Sequence, residues 1–313
     1  MQKAMIAPGR SPSSALNDAG NEGLRHLLDA AERDILPDQV AACACLYDRS
    51  ILSNDPGTFD RQTVWHHQGD RLIYPASVCK LFYLAAIAAA EERGEIALDD
   101  EDHRAVHAMI ATSSNDATTY LLGRLTGAFD GPRLSPDALD GWIGQRQAVM
   151  GWLNRLGTPA FDGIHLSHST YEDSPYGRAK QAREIQIGNR LSARACAAMM
   201  HEILRGAMPK RDWMASHLSR DWQRDAEAGS DGNQVSGFLA EGIPADFKTW
   251  SKAGHTSWTR HDVIHAEAPD GRACTIAVMT EGNAAARNMR TLPAFARAFI
   301  RHAFALPTKI ATS

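Results

Sequence analysis

Apolar residues recur along this chain with two different periods. A spacing of roughly three to four residues, typical of helices, occupies residues 15–35, 76–93, 102–110, 115–125, 144–156, 192–205 and 287–305. Short apolar or alternating runs bounded by turn residues predict strands at 39–47, 63–67, 263–268 and 274–280. The last two flank the turn Pro269-Asp270-Gly271 and are expected to form an antiparallel hairpin.

The order of these elements predicts the fold class. Strands lie near both ends of the chain and helices fill the middle, which favours an α/β (α+β) fold. We expect an antiparallel sheet flanked by helices, formed by residues 15–75 and 207–308, with an all-α domain inserted at residues 76–206. Residues 1–14 are expected to be a flexible tail. Residues 157–189 form the least regular stretch, and long loops of this kind often carry function.

Composition narrows the possible partners. Lysine and arginine number 33 against 37 aspartates and glutamates, so no excess of positive charge indicates a nucleic-acid partner. The longest apolar run, residues 81–90, is half as long as the roughly 20 residues that cross a bilayer, so we expect a buried helix and no membrane partner.

Cysteine content and the N-terminus bear on the compartment. Five cysteines, an odd number, argue against a complete disulfide framework, and residues 1–24 lack the apolar core of a secretory signal. We therefore expect a cytoplasmic protein as the sequence stands, or a periplasmic one if a signal peptide has been removed. Nothing in the sequence indicates an oligomeric state.

The segment Ser77-Val78-Cys79-Lys80 is the first candidate for chemistry. It lies where a connection containing Pro75 enters an apolar helix. Residues three apart on a helix share a face, so the Lys80 amine can lie over the Ser77 hydroxyl. Burial and the positive end of the helix dipole favour a neutral lysine, which could take the proton of a nucleophilic serine. The alternative is a helix N-cap serine followed by a solvated lysine.

Two further motifs follow in order along the chain. Ser113-Ser114-Asn115 lies in a loop entering a helix, and Lys252-Ala253-Gly254 opens a predicted edge strand before the terminal hairpin. The ordered set S-x-x-K, S-x-N and K-x-G resembles the signature of class A β-lactamases and penicillin-binding proteins. The resemblance covers about residues 20–305.

The resemblance implies a role for each matching residue. Ser77 would attack a strained or activated amide carbonyl and form an acyl-enzyme, with Lys80 as proton acceptor and Ser113 relaying a proton to the leaving nitrogen. The family's remaining roles concern the substrate, a small acyl compound. Asn115 would bind the acylamide group of this substrate, and Lys252 and Arg260 would bind its carboxylate. The backbone N–H groups of Ser77 and of His255, the residue that follows Lys252-Ala253-Gly254, would bind the oxyanion.

The chain departs from the family pattern at several positions. Ala253 replaces the usual hydroxyl residue, which removes a hydrogen bond to a substrate carboxylate that would be worth about 1.5–3 kcal/mol. Ser114 replaces the usual aspartate, from which we expect a looser loop. The short separation between Ser77 and Ser113 predicts a reduced helical domain and a more open cleft.

The deacylating glutamate of class A enzymes has no clear counterpart. Its usual E-x-x-L-N pattern is missing, and Glu172 and Glu184 are the only glutamates in the corresponding loop. Glu172 is the better placed of the two, although a solvated loop carboxylate is the simpler explanation of either residue. We therefore expect acylation to outrun hydrolysis.

Other functions and sites stay open at this stage. An amidase, peptidase, esterase or glutaminase could use the same Ser-Lys machinery, and a non-catalytic binding protein could keep the fold. Neither the histidine pairs nor Cys43 and Cys45 offer a three-ligand metal pattern, so we expect no metal and no cofactor. Cys43, Cys45 and Cys79 are expected to serve packing.

Overall fold

The computed structural model describes residues 14–52, 63–172, 174–221 and 233–305. Its helices are α1 (Ser14–Ala30), α2 (Cys79–Glu92), α3 (Asp100–Ala111), α4 (Asn115–Thr126), α5 (Pro136–Arg146), α6 (Ala148–Leu156), α7 (Gly177–Ile185), α8 (Ala193–Leu204), α9 (Arg211–Leu218), α10 (Asn283–Arg287) and α11 (Thr291–Ala303). None of these helices combines the length and apolar character needed to cross a membrane. Apart from Ser14, the expected N-terminal tail lies outside the described residues.

The strands are β1 (Val40–Tyr47), β2 (Thr63–His67), β3 (Ser219–Arg220), β4 (Lys248–His255), β5 (Thr259–Glu267) and β6 (Ala273–Glu281). They form one antiparallel sheet in the order β2-β1-β6-β5-β4-β3. Strands from the two ends of the chain meet where β1 pairs with β6, which confirms the sheet predicted from both ends. The predicted hairpin is β5–β6, with Ile264 opposite Ile276.

Helices cover both faces of the sheet, and its central strands are therefore buried on both sides. α1 and α11 pack on one face in a cluster that includes Trp65 and Phe295. α8 covers the other face, where its apolar residues join the core around α2. Nearly every residue of α2 is buried, which confirms the buried helix predicted from the apolar run at residues 81–90.

The structure corrects several predicted elements. Residues 144–156, predicted as one helix, belong to α5 and α6, which meet at Gln147. The start of α5 was signalled by Ser135 and Pro136, because proline is favoured in the first turn of a helix. α7 and α9 bury two residues each, too few for a clear apolar period. β4 is not a full edge strand, because β3 pairs with its residues Thr249 and Trp250.

A chain of polar side chains is buried between the sheet and α8. A hydrogen bond of 2.9 Å joins Tyr47 Oη and His201 Nδ1, and another of 3.2 Å joins Tyr47 Oη and Thr275 Oγ1. Thr275 Oγ1 also bonds with His265 Nδ1 at 2.9 Å. Burial lowers the pKa of His201 to about 3 and lowers the pKa of His265. Both imidazoles are therefore neutral in the folded protein at neutral pH.

We expect the folded state to lose stability as the pH falls from about 7.5 to about 5.5. An unfolded histidine takes up a proton near pH 6.5, whereas folded His201 does so only near pH 3. The unfolded state therefore binds more protons in this window, and one such histidine lowers the free energy of unfolding by about 1.4 kcal/mol. His201→Gln keeps a polar partner for Tyr47 without a titratable group, so urea denaturation should show a loss smaller by that amount. His302→Gln, at an exposed position, is the matched control and should lose as much stability as the wild type. An equal loss in His201→Gln would contradict the neutral buried imidazole.

Candidate active site

Ser77 lies on a tight turn that precedes α2. The turn is a single 3-10 turn, Ala76–Val78, and the α-helix begins only at Cys79, which corrects the continuous helix predicted from residue 76. Ala76 has a φ of 45°, an uncommon left-handed conformation for a residue with a Cβ. The Ser77 side chain is half-buried, and its hydroxyl makes no hydrogen bond with any described residue. Strained backbone of this kind is often found where a nucleophile is presented.

Strand β4 passes directly against this turn. A Cβ on Gly254 would lie 3.0 Å from Pro75 O, from Ser77 N and from Val78 N, all of them backbone atoms. Only a glycine allows so close an approach, because none of these atoms can move away as a flexible side chain could. The third motif therefore requires Gly254 for packing against the first.

The register of β4 sets the direction of the His255 N–H group. Thr256 N donates to Thr259 O at 2.9 Å, which makes these two residues a hydrogen-bonded pair. Pairs alternate in an antiparallel ladder, so the next pair, His255 and Arg260, is of the non-hydrogen-bonded kind. The His255 N–H therefore points away from β5, towards the side of β4 on which β3 pairs with Thr249 and Trp250.

Lys80, in the first turn of α2, is fully buried. Its amine donates to Asn115 Oδ1 at 2.8 Å, to Ser113 Oγ at 3.2 Å and to Ser113 O. Burial lowers the pKa of Lys80 to about 8, although the charge of nearby Glu172 acts in the opposite direction. No hydrogen bond joins the amine to Ser77 among the described residues. Bonds of this kind are often long until a substrate is present.

Ser113 holds the centre of the site. Its φ of 60° is left-handed, and its hydroxyl accepts hydrogen bonds from Lys80 Nζ at 3.2 Å and from Lys252 Nζ at 3.0 Å. The neighbouring Ser114 caps α4, since its Oγ accepts from Ala117 N at 3.1 Å. The looser loop expected from serine at position 114 is therefore not found.

Lys252, on β4, is also fully buried. Besides Ser113 Oγ, its amine donates to Gln234 Oε1 at 2.5 Å and to Ala253 O at 2.7 Å. Burial lowers its pKa well below the usual range, and the positive charge of Lys80 lowers it further. The two lysines thus meet at one hydroxyl, and both side chains are withdrawn from solvent.

Glu172 is brought to this network through Asn115. Asn115 Nδ2 donates to Glu172 Oε1 at 2.8 Å, while its Oδ1 accepts from Lys80. The loop before Glu172 is fixed by the buried Asn189, whose Oδ1 accepts from Ser167 N at 3.1 Å and from His168 N at 3.0 Å. The exposed carboxylate of Glu172 therefore stands on an anchored loop at the edge of the lysine network.

Arg260 is not brought together with Lys252. Arg260 pairs with His255 on the neighbouring strand, and paired side chains share one face of the sheet. Because His255 is three residues beyond Lys252, the side chains of Arg260 and Lys252 lie on opposite faces. Its guanidinium donates to Ala286 O at 3.0 Å and to Gly237 O at 3.4 Å. The His255 ring also bonds with Ala286 O, at 3.0 Å. These carbonyls hold the Arg260 guanidinium on that face, and its role in binding a substrate carboxylate stays a prediction.

Three polar residues that were not predicted from the sequence support the site: Gln234, Asn189 and Arg220. Arg220 donates to Ile110 O at 3.1 Å and to Ser251 O at 3.0 Å, and its charge contributes to the lowered pKa of Lys252. None of the three belongs to a motif, and each acts across a large sequence separation. No local pattern could have identified them.

Metal-binding and thiol groups do not complete the site. Within the described ranges, no group of three His, Cys, Asp or Glu side chains is arranged to hold a metal ion. Cys43 and Cys45 are buried in the core beside the sheet. Burial raises the pKa of the Cys79 thiol to about 11, so this sulfur is protonated at neutral pH.

A family model described as the β-lactamase enzyme family matches residues 103–303, well over half of the 313 residues. The chain belongs to this family. The matched range contains Ser113, Asn115 and Lys252 and begins after Ser77. A comparison with curated proteins gives no match.

Solved β-lactamase structures have the same fold. A β-lactamase from Sphaerobacter thermophilus is 18% identical with a TM-score of 0.63, covering 92% of this chain and 98% of that one. A β-lactamase from Burkholderia vietnamiensis is 15% identical with a TM-score of 0.62, covering 91% and 97%. Identities this low establish similarity of fold alone. Family and fold together make this protein a β-lactamase-like hydrolase.

Proposed function

We propose that this member of the β-lactamase family is a serine hydrolase that opens a β-lactam or a related amide through an acyl-enzyme on Ser77. The observation that carries the proposal is the Ser113 hydroxyl, held 3.2 Å from Lys80 Nζ and 3.0 Å from Lys252 Nζ beside the Ser77 turn. A hydroxyl between two amines of lowered pKa can pass protons in either direction, as acyl transfer to and from a serine requires.

Acylation begins at the Ser77 hydroxyl. Neutral Lys80 takes its proton as the Ser77 Oγ–carbon bond forms, and the backbone N–H groups of Ser77 and His255 stabilise the oxyanion. The carbon–nitrogen bond then breaks, and Ser113 gives its proton to the leaving nitrogen. Ser113 regains a proton from the lysines on either side. The second N–H of the Asn115 amide is available to hold a carbonyl of the substrate.

Glu172 is the base proposed for deacylation. Its carboxylate is held by Asn115, which also binds Lys80, so it lies close to where the acyl group would form. A water between Glu172 and the ester carbon would give its proton to the carboxylate and its oxygen to the acyl group. Glu172 would then pass this proton back, by way of Lys80, to the Ser77 oxygen as it leaves, so that Glu172 and Lys80 both return to their starting states.

The first prediction is that Ser77 becomes covalently acylated. Intact mass should rise by the mass of the donor after exposure to a panel of β-lactams and acyl esters, and peptide mapping should locate the adduct on Ser77. The panel includes esters because an amidase, peptidase, esterase or glutaminase would use the same residues. Labelling that persists in Ser77→Ala, or an adduct on Cys79, would contradict the assignment. No adduct with any donor would favour a non-catalytic binding protein.

The second prediction concerns the charge of Lys80. Because only its neutral form accepts a proton, the acylation rate should rise with pH up to about 8 and then level off. Lys80→Ala should slow acylation by at least about 100-fold and abolish this pH dependence. Stopped-flow measurements from pH 6 to 9.5 test both points. An unchanged rate in a folded Lys80→Ala variant would make the lysine structural.

The third prediction separates acylation from turnover. Glu172→Gln keeps an oxygen that can accept from Asn115 but removes the base, so the burst of acylation should remain while steady-state hydrolysis falls by at least about 100-fold. Glu184→Gln, an exposed residue of α7, is the matched control and should be silent. Equal turnover in Glu172→Gln and the wild type would point to Lys80 or Ser113 as the deacylation base.

A further inference from the structure

Gln234 places a neutral oxygen between two donors of the site. Its Oε1 accepts from Lys252 Nζ at 2.5 Å and from the backbone N–H of Ala253 at 3.2 Å. An acidic substrate binding beside Ser113 would bring its carboxylate oxygen to donors of this kind. In this protein the side-chain amide of Gln234 occupies that position between Lys252 Nζ and the Ala253 N–H.

The orientation of this amide is fixed at its other end. Gln234 Nε2 donates to Ile110 O at 2.7 Å and to Ala111 O at 2.9 Å, at the end of α3. Gln234 is 5% exposed, so turning it away would remove its buried hydrogen bond to Ala111 O and leave Ile110 O with Arg220 as its donor. The four contacts together hold the amide oxygen against Lys252.

The Lys252 amine is surrounded by oxygens of the protein. Three of them, Ser113 Oγ, Gln234 Oε1 and Ala253 O, lie within hydrogen-bond distance of it. Ala253 has no hydroxyl, and Arg260 donates to backbone carbonyls on the opposite face of the sheet. On the other side of the site stands an exposed carboxylate, Glu172, which repels an anion.

We propose that Gln234 occupies the place of a substrate carboxylate, and that the acyl donor of this protein has no negative charge beside the scissile nitrogen. The substrates are then amides and esters whose leaving group is uncharged or positively charged. The inference rests on the proposed acylation of Ser77. It adds a specificity-determining residue, Gln234, to that reaction.

A matched pair of compounds tests the inference: benzylpenicillin and its methyl ester. Acylation of Ser77 is followed by quenched-flow mass spectrometry, and each rate is divided by the rate at which hydroxide opens the same compound. The ester should acylate at least about tenfold faster than the acid, the size of effect expected for one missing hydrogen bond to a charged group. An acid that reacts as fast as the ester overturns the inference and leaves acylation of Ser77 standing. No adduct with either compound contradicts the proposed function as well.

Two variants probe the residues responsible. Ala253→Thr adds a hydroxyl donor and Gln234→Ala removes the competing oxygen, so each should raise the ratio of acid rate to ester rate by about tenfold. Thermal unfolding identifies any variant that fails to fold, and either variant alone suffices for the test. Ala97→Thr, at an exposed loop position, is the matched control and should leave the ratio unchanged. An unchanged ratio in both folded test variants overturns the role given to Gln234.

Discussion

Two lysine side chains withdrawn from water share one serine hydroxyl, and the rest of the site is arranged around that constraint. Two full positive charges so close together in a place of low dielectric repel strongly, and burial disfavours each of them. The lowered pKa values of Lys80 and Lys252 follow directly. Amines of lowered pKa suit the acylation that we propose for Ser77, because that reaction needs a group that takes up and releases protons near neutral pH.

The fold has to bring three distant segments into contact to produce this arrangement. Gly254 lets β4 touch the backbone of the Ser77 turn, and the first two segments contain left-handed backbone at Ala76 and Ser113. Such conformations persist only where the surrounding structure holds them. Here the buried helix α2 and the central strands of the sheet supply that rigidity.

The features that the sequence could indicate are those whose spacing is local. Ser77 and Lys80 are three residues apart, the turn at residues 269–271 indicates the hairpin of β5 and β6, and the apolar run indicates α2. A single helical period or a single turn is enough to predict each of these features. The position of the Glu172 side chain depends on its contact with Asn115, 57 residues away. The position of the Arg260 side chain depends on the register between β4 and β5. The role of Gln234 depends on contacts with Ile110 and Lys252 from two other parts of the chain. Side-chain direction after long-range packing is information that a local pattern does not contain.

The buried polar groups around Lys252 explain how the motif Lys252-Ala253-Gly254 can contain an alanine. Asp262 lies opposite Ala253 on β5, is 1% exposed, and has a pKa raised to about 7 by burial. The charges of Arg220 and Lys252 act against that rise. Burial thus shifts both the carboxyl of Asp262 and the amine of Lys252 towards their neutral forms. Without a hydroxyl at position 253, Lys252 and the Ala253 N–H still have a partner, because the amide of Gln234 bonds with both. The contacts that satisfy Lys252 beside Ser113 are therefore the same ones from which we infer a substrate without a carboxylate at this place.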